Sequence, residues 1–172
     1  ICHQWEGVGG PGHWPDADML PFGHLALRST ERGWGDRWTH FTQDEQIALM
    51  TLWCLFRSPL MVGAELNDND EFTLNLLTND EVLALLSESR NARQVYREER
   101  YNYAGEVIVW QAENERGETY CAVFNCGPKA RKLAVQLSSA LGLEGAYTGR
   151  DLWAHEEIPV GRALEVEVPS HG

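Results

Sequence analysis

Basic residues are scarce in this chain: 14 Lys and Arg stand against 26 Asp and Glu, a formal net charge of −12. Nucleic acid and anionic membrane are therefore poor partners, because phosphate recognition concentrates Lys and Arg on one surface. Long apolar runs are also missing, and without about 18 consecutive apolar residues there is no candidate transmembrane helix. The opening "ICHQWEGVGG" has no charged segment followed by an apolar one, so it does not read as a secretory signal peptide. Cys2, Cys54, Cys121 and Cys126 have no metal-ligand spacing and are expected as packed free thiols. The histidines are scattered in the same way, and neither a metal nor a cofactor is expected.

What is present is a globular composition, 43% hydrophobic and 23% charged over 172 residues, enough to build a substantial core. A neutral substrate suits the acidic balance, and sugars qualify. The seven tryptophans could stack on sugar rings or fill the core.

Residues 1–40 are rich in Gly, Pro, Trp and His and show no sustained period. A helix is predicted over 42–57: Thr42 and Glu45 form a capping box, and Pro59 stops the helix. Its residues from Ile47 to Phe56 are apolar nearly all round, which predicts cover on most sides. Two short helices follow. The acidic run "NDNDE" lacks the glycine and distal Glu of a calcium loop and reads as helix capping, and Thr78 with Glu81 is a second capping-box candidate.

From about residue 92 the pattern changes to short strand-like runs divided by Gly, Asn and Pro. "EVIVWQAENERGETYCAVFN" reads as a hairpin turning near Glu115, Arg116 and Gly117. In "ALEVEV", Leu164, Val166 and Val168 share one face. The runs predict an antiparallel sandwich with Val107, Val109, Tyr120, Ala122, Phe124, Leu164 and Val166 or their strand neighbours inward, the face of the first strand being open by one residue because "VIVW" is apolar on both sides. Trp110 and Trp153 are the candidates for a sugar platform in an alternative reading, a noncatalytic carbohydrate-binding or structural module. Alternation with Ile108 and Ala112 favours the core for Trp110.

The stretch carrying chemistry is "GGPGHWPDADMLPFG", residues 9–23. Asp16 and Asp18, on an extended segment, would share one side with Cα atoms roughly 6.5–7 Å apart. Acetal hydrolysis uses paired carboxylates, but they flank the anomeric carbon, whereas a pair on one segment approaches from one side. Binding sugar hydroxyls, or a turn-forming role in a Pro-rich loop, both fit that geometry. His13 reads as loop packing. "RSTERGWGDRWTH" gathers Arg28, Arg32, Trp34, Arg37 and Trp38 in a loop that borders the pocket or covers neighbouring structure.

"GGPGHWPDADMLPFG", "FTQDEQIALMTLWCLFRSPLMVGAEL" and "LLTNDEVLAL" together resemble family 27 glycoside hydrolases, the α-galactosidases and α-N-acetylgalactosaminidases, in order across residues 9–86. The resemblance implies a mixed architecture: residues 1–91 as the last strand-helix unit of a (β/α)8 barrel, then residues 92–172 as an all-β antiparallel sandwich. It implies a retaining hydrolase of terminal α-linked galactose or N-acetylgalactosamine. Asp18 and Met19 would face the sugar, and Trp14 and Asp16 would support the pocket wall. The family's catalytic aspartates lie on earlier barrel strands, so no catalytic residue is expected among these 172. The missing barrel portion is the expected partner, and the chain alone is expected to be inactive.

Overall fold

The computed structural model describes residues 2–27, 29, 35–98, 106–145 and 147–172, with Cys2 and His3 in backbone only. After a 3₁₀ turn at Cys2–Trp5, the first half carries a two-stranded ribbon, β1 (His24–Leu25) with β2 (Arg37–Trp38), and four helices. These are α1 (Gln43–Phe56), α2 (Glu71–Thr78), α3 (Asp80–Leu83) and α4 (Leu85–Glu88). Thr42 and Glu45 form the expected capping box, and α1 ends at Arg57 in the left-handed conformation, φ 60°. Among the described residues no helix is long and apolar enough to cross a membrane.

Asp70 caps α2 by accepting from the Thr73 amide, so the acidic run does cap a helix. The second capping box does not form. Thr78 is the last residue of α2, its hydroxyl donates back to Leu74 O at 2.7 Å, and Asn79 caps α3 instead. An asparagine carbonyl one residue later makes the same bond to the Val82 amide, which frees Glu81 for a distant partner.

The second half holds β3 (Arg90–Glu98), β4 (Val107–Glu113), β5 (Thr119–Asn125), β6 (Arg131–Gln136), α5 (Leu137–Leu141), β7 (Tyr147–Asp151), β8 (Glu156–Val160) and β9 (Ala163–Val168). All ladders are antiparallel: β3–β4–β5, β6–β9 and β7–β8. The β4–β5 hairpin turns where the sequence predicts it.

The inward residues of β4 and β5 divide between two faces. Val109 pairs with Val123 and Trp110 with Ala122, and paired residues share a face. Trp110, Ala112, Ala122 and Phe124 point at the helices and join one core with Leu20, Phe22, Met50, Leu55 and Leu85. Val109 points the other way, to Val135, Leu137 and Leu141. Val107, two residues away, shares its side. The central sheet is thus sandwiched between helices and a second β layer, which explains why β4 is apolar on both sides.

The first core draws on both halves of the chain, so α1 packs directly against β4 and β5. Only Met50, Cys54, Leu55 and Phe56 among its apolar residues are buried; Ile47, Leu49, Leu52 and Trp53 are half-buried. No residue from Asp44 to Phe56 is exposed, and Ile47, Leu49, Leu52 and Trp53 pack against the same core, so α1 has the cover on most sides that its apolar run predicts. The β7–β8 hairpin tip closes over α1 and α3. Trp153 donates its indole N–H to Thr51 Oγ1 at 2.9 Å, and Asn79 Nδ2 donates to Leu152 O at 2.9 Å. Arg150 forms a two-pronged ion pair with Glu81, and His155 joins it at 2.8 Å. Neither Trp110, 3% exposed, nor the docked Trp153 offers a free sugar platform.

Cys54, Cys121 and Cys126 are free thiols. The first is buried and the second half-buried, but Cys126 is exposed, contrary to the expectation of packing.

Candidate functional site

The Gly- and Pro-rich stretch is a fixed support for one exposed turn. Gly10 and His13 exchange backbone hydrogen bonds at 2.8 and 2.9 Å. A Cβ on Gly9 would sit 2.8 Å from both the Trp14 ring and Pro15 Cδ, so only glycine allows this approach. His13 is exposed and bonds to Val8 O, a loop-packing role.

Beyond Pro15 the chain turns. Asp16 Oδ1 accepts from the Asp18 amide at 2.9 Å, and Asp18 Oδ1 accepts from the Met19 amide at 2.7 Å. Asp18 has φ 76°, a left-handed conformation that Asp tolerates better than most residues. The segment is therefore an Asx turn and not the extended strand that the spacing of the two carboxylates suggests.

Two neighbours pin this turn. Trp53 of α1 donates its indole N–H to Asp18 O at 3.1 Å, and Ser58 Oγ accepts from the Ala17 amide at 2.9 Å. The chain then dives inward: Leu20 and Phe22 are fully buried. Leu20 also bridges in parallel to the segment around Val62, through Leu20 N to Met61 O at 2.8 Å and Gly63 N to Leu20 O at 2.9 Å. Buried anchors on one side leave Asp16, Asp18 and Met19 exposed on the other, with Met19 at 56%.

Asp16, Asp18 and Met19 thus share one turn. Trp14 faces elsewhere: the Arg57 guanidinium lies 3.9 Å above its ring, and both line a cleft of about 540 Å³ with Trp5, Ser89 and Asn91. Arg28, Arg32 and Trp34 lie outside the described residues. Of the same loop, Arg37 is half-buried and Trp38 stacks on His24.

His24 is the residue that sequence reasoning missed. Its side chain is buried, with Nδ1 2.5 Å from Asp68 Oδ2 and Nε2 against Asp36 Oδ1. The hydrogen bonds that its ring donates to Asp36 and then Asp68 raise its pKa above the usual histidine value. Partners 12 and 44 residues away leave no local spacing to read.

Residues 104–172 match the family model for the alpha galactosidase C-terminal beta sandwich domain. A probable alpha-galactosidase D of Aspergillus oryzae is 33% identical over 173 residues, covering 95% of this chain and 23% of the relative. A GH27 β-L-arabinopyranosidase from Geobacillus stearothermophilus superposes with a TM-score of 0.89 at 46% identity, over 99% of this chain and 38% of that one. A structure described as a putative alpha-N-acetylgalactosaminidase from Bacillus halodurans gives 0.85 at 39% identity, over 99% and 40%. The chain spans about a quarter to two fifths of the length of these relatives. It belongs to the family 27 glycoside hydrolases and corresponds to their C-terminal portion.

Proposed function

We propose that these residues complete the sugar-binding wall of a retaining α-galactosidase-type hydrolase, with residues 1–91 as the last strand-helix unit of its barrel and 92–172 as its C-terminal sandwich. The observation that carries this is the turn itself. Asp18 and Met19 stand exposed at the end of a segment whose next residues are fully buried, and the turn is held by α1 through Trp53 and by Ser58. A rigid base presenting one acceptor and one apolar contact is what a sugar subsite needs. Asp16 supports the turn by fixing the Asp18 amide. Trp14, close against Gly9 and under Arg57, packs the segment that leads into the turn.

The chemistry belongs elsewhere in the barrel. Retaining cleavage uses two carboxyl groups about 5–5.5 Å apart on either side of the anomeric carbon. Asp16 and Asp18 lie on one turn, each with an oxygen accepting from a backbone amide. Asp36 and Asp68 are engaged by His24. The 172 residues therefore bind and orient but do not attack, and no step calls for a metal or cofactor.

In the whole protein, Asp18→Asn keeps the left-handed turn and removes a charged acceptor, worth on the order of 1.5–3 kcal/mol. That predicts a ten- to hundredfold lower kcat/KM on a chromogenic α-galactoside, roughly by the same arithmetic. Unchanged kinetics would remove Asp18 from the sugar site.

The 46% identity to a β-L-arabinopyranosidase supports a second substrate. A β-L-arabinopyranoside has the ring stereochemistry of an α-D-galactoside without the hydroxymethyl group. Parallel assays of the two nitrophenyl glycosides on the whole protein decide between them.

A further inference from the structure

His24 opens β1, a few residues beyond Met19 and the buried Leu20 and Phe22, and everything around it gathers other segments onto β1. Its backbone oxygen accepts from the Glu65 amide at 2.9 Å, and the adjacent Gly23 oxygen accepts from the Thr39 amide at 2.8 Å. A Cβ on Gly23, at φ 68°, would come within 2.6 Å of Asn69 Oδ1, so the strand and the turn before α2 are in close approach. Trp38 covers the imidazole in a stack, centroids 5.0 Å apart and planes at 13°.

The ring faces a carboxylate at each nitrogen. A neutral imidazole carries one N–H, so its other nitrogen would oppose a carboxylate oxygen lone pair to lone pair. Only the imidazolium can donate to both. It then joins Asp36, from the segment entering β2, to Asp68, from the turn before α2. Among the described residues these are the charged groups that bear on the ring; Trp38 is neutral.

We propose that His24 is a positioning residue: as an imidazolium it latches the segments at Asp36 and Asp68 onto β1, at the end of the buried segment that leads from Met19, and so fixes the wall of the sugar site. The proposal rests on the sugar-site reading above. A latch of this kind acts on substrate fit more than on chemistry, because His24 touches neither the Asp18 turn nor any reacting atom. Its pKa is raised by both aspartates, so the protonated latch persists above the usual histidine range and opens as pH rises through the elevated value.

Two measurements test it. Side-chain nitrogen NMR of the 172-residue chain should find both His24 ring nitrogens protonated at neutral pH, with titration above the ordinary value. In the whole protein, KM for a chromogenic glycoside should climb on the alkaline side while kcat holds. His24→Ala should raise KM about ten- to hundredfold at neutral pH, the scale expected of a misplaced contact. Asp36→Asn and Asp68→Asn should each move the alkaline rise in KM to lower pH, a shift that a merely structural role does not produce. A single N–H on His24 at neutral pH overturns the proposal. So does an alkaline limb that neither aspartate variant moves. If Asp18→Asn leaves turnover untouched, the sugar-site reading falls, while the NMR result still decides the latch.

Discussion

Trp110 separates an exposed platform from a core residue most sharply, and Trp110→Ala is the perturbation to make. The side chain is 3% exposed, meets Phe56 edge-on at 6.1 Å and 85°, and sits opposite Ala122 on the helix-facing side of the central sheet. Because Ala112 and Ala122 flank it with little bulk to spare, the neighbours cannot fill the space it leaves. Truncation of a buried aromatic costs about 3–5 kcal/mol, toward the upper end where the site cannot collapse. At this chain length that lowers Tm by roughly 6–20 °C. Trp110→Phe, which keeps a ring against Phe56, should recover more than half of the loss. Urea denaturation followed by far-ultraviolet circular dichroism measures it. A cost below about 1 kcal/mol, with unchanged denaturant slope, would refute the packing of helices on this sheet.

Three further outcomes follow from particular contacts. Asn125 is fully buried, with Nδ2 donating to Lys129 O, Val168 O and Pro169 O and Oδ1 accepting from the Gly127 amide; Asn125→Ala strands these groups and should cost about 3 kcal/mol or more in the same denaturation assay. Arg150 first, and then His155, lowers the Glu81 pKa from 4.5 to about 2, so the clasp stabilises the fold above pH 4.5 and is lost as pH falls toward 2. Glu81→Gln should accordingly flatten the acid fall in Tm across that window, and an unaltered slope would disprove the clasp. Burial pushes the Cys54 thiol up to about 12, so alkylation at mildly alkaline pH, mapped by mass spectrometry, should mark exposed Cys126 and spare Cys54 until denaturant is added.

Local chemistry was readable in the residues; distant pairing was not. Thr42 and Glu45 are three apart and bond to one another, so the start of α1 is visible in four letters. Thr78 and Glu81 show the same spacing but lose to Asn79, because a capping residue is chosen by where the helix axis begins. Strand positions in the second half were legible from alternation, yet the faces of β4 were not. Every residue from Val107 to Ala112 is buried or half-buried, and Gln111, the polar residue that shares a side with Val107 and Val109, is buried as well, so period-two reasoning has no exposed side to orient it. The Asp16–Asp18 turn was visible as residues, while its left-handed Asp18 depends on Trp53 and Ser58, 35 and 41 residues away. His24 and Asn125 were invisible for the same reason. Each is a polar residue in an unremarkable run: His24 is held by Asp36 and Asp68, and Asn125 joins its own turn to Val168 and Pro169, 43 and 44 residues on.

The central claim is that these 172 residues supply substrate contacts and not the attacking groups. The most direct test incubates the purified 172-residue chain with a chromogenic α-galactoside. Release of chromophore should not exceed the buffer rate, since a side-by-side pair of aspartates on one turn cannot flank an anomeric carbon. Turnover above that rate, abolished by Asp16→Asn or Asp18→Asn, would contradict the claim and make the pair itself catalytic.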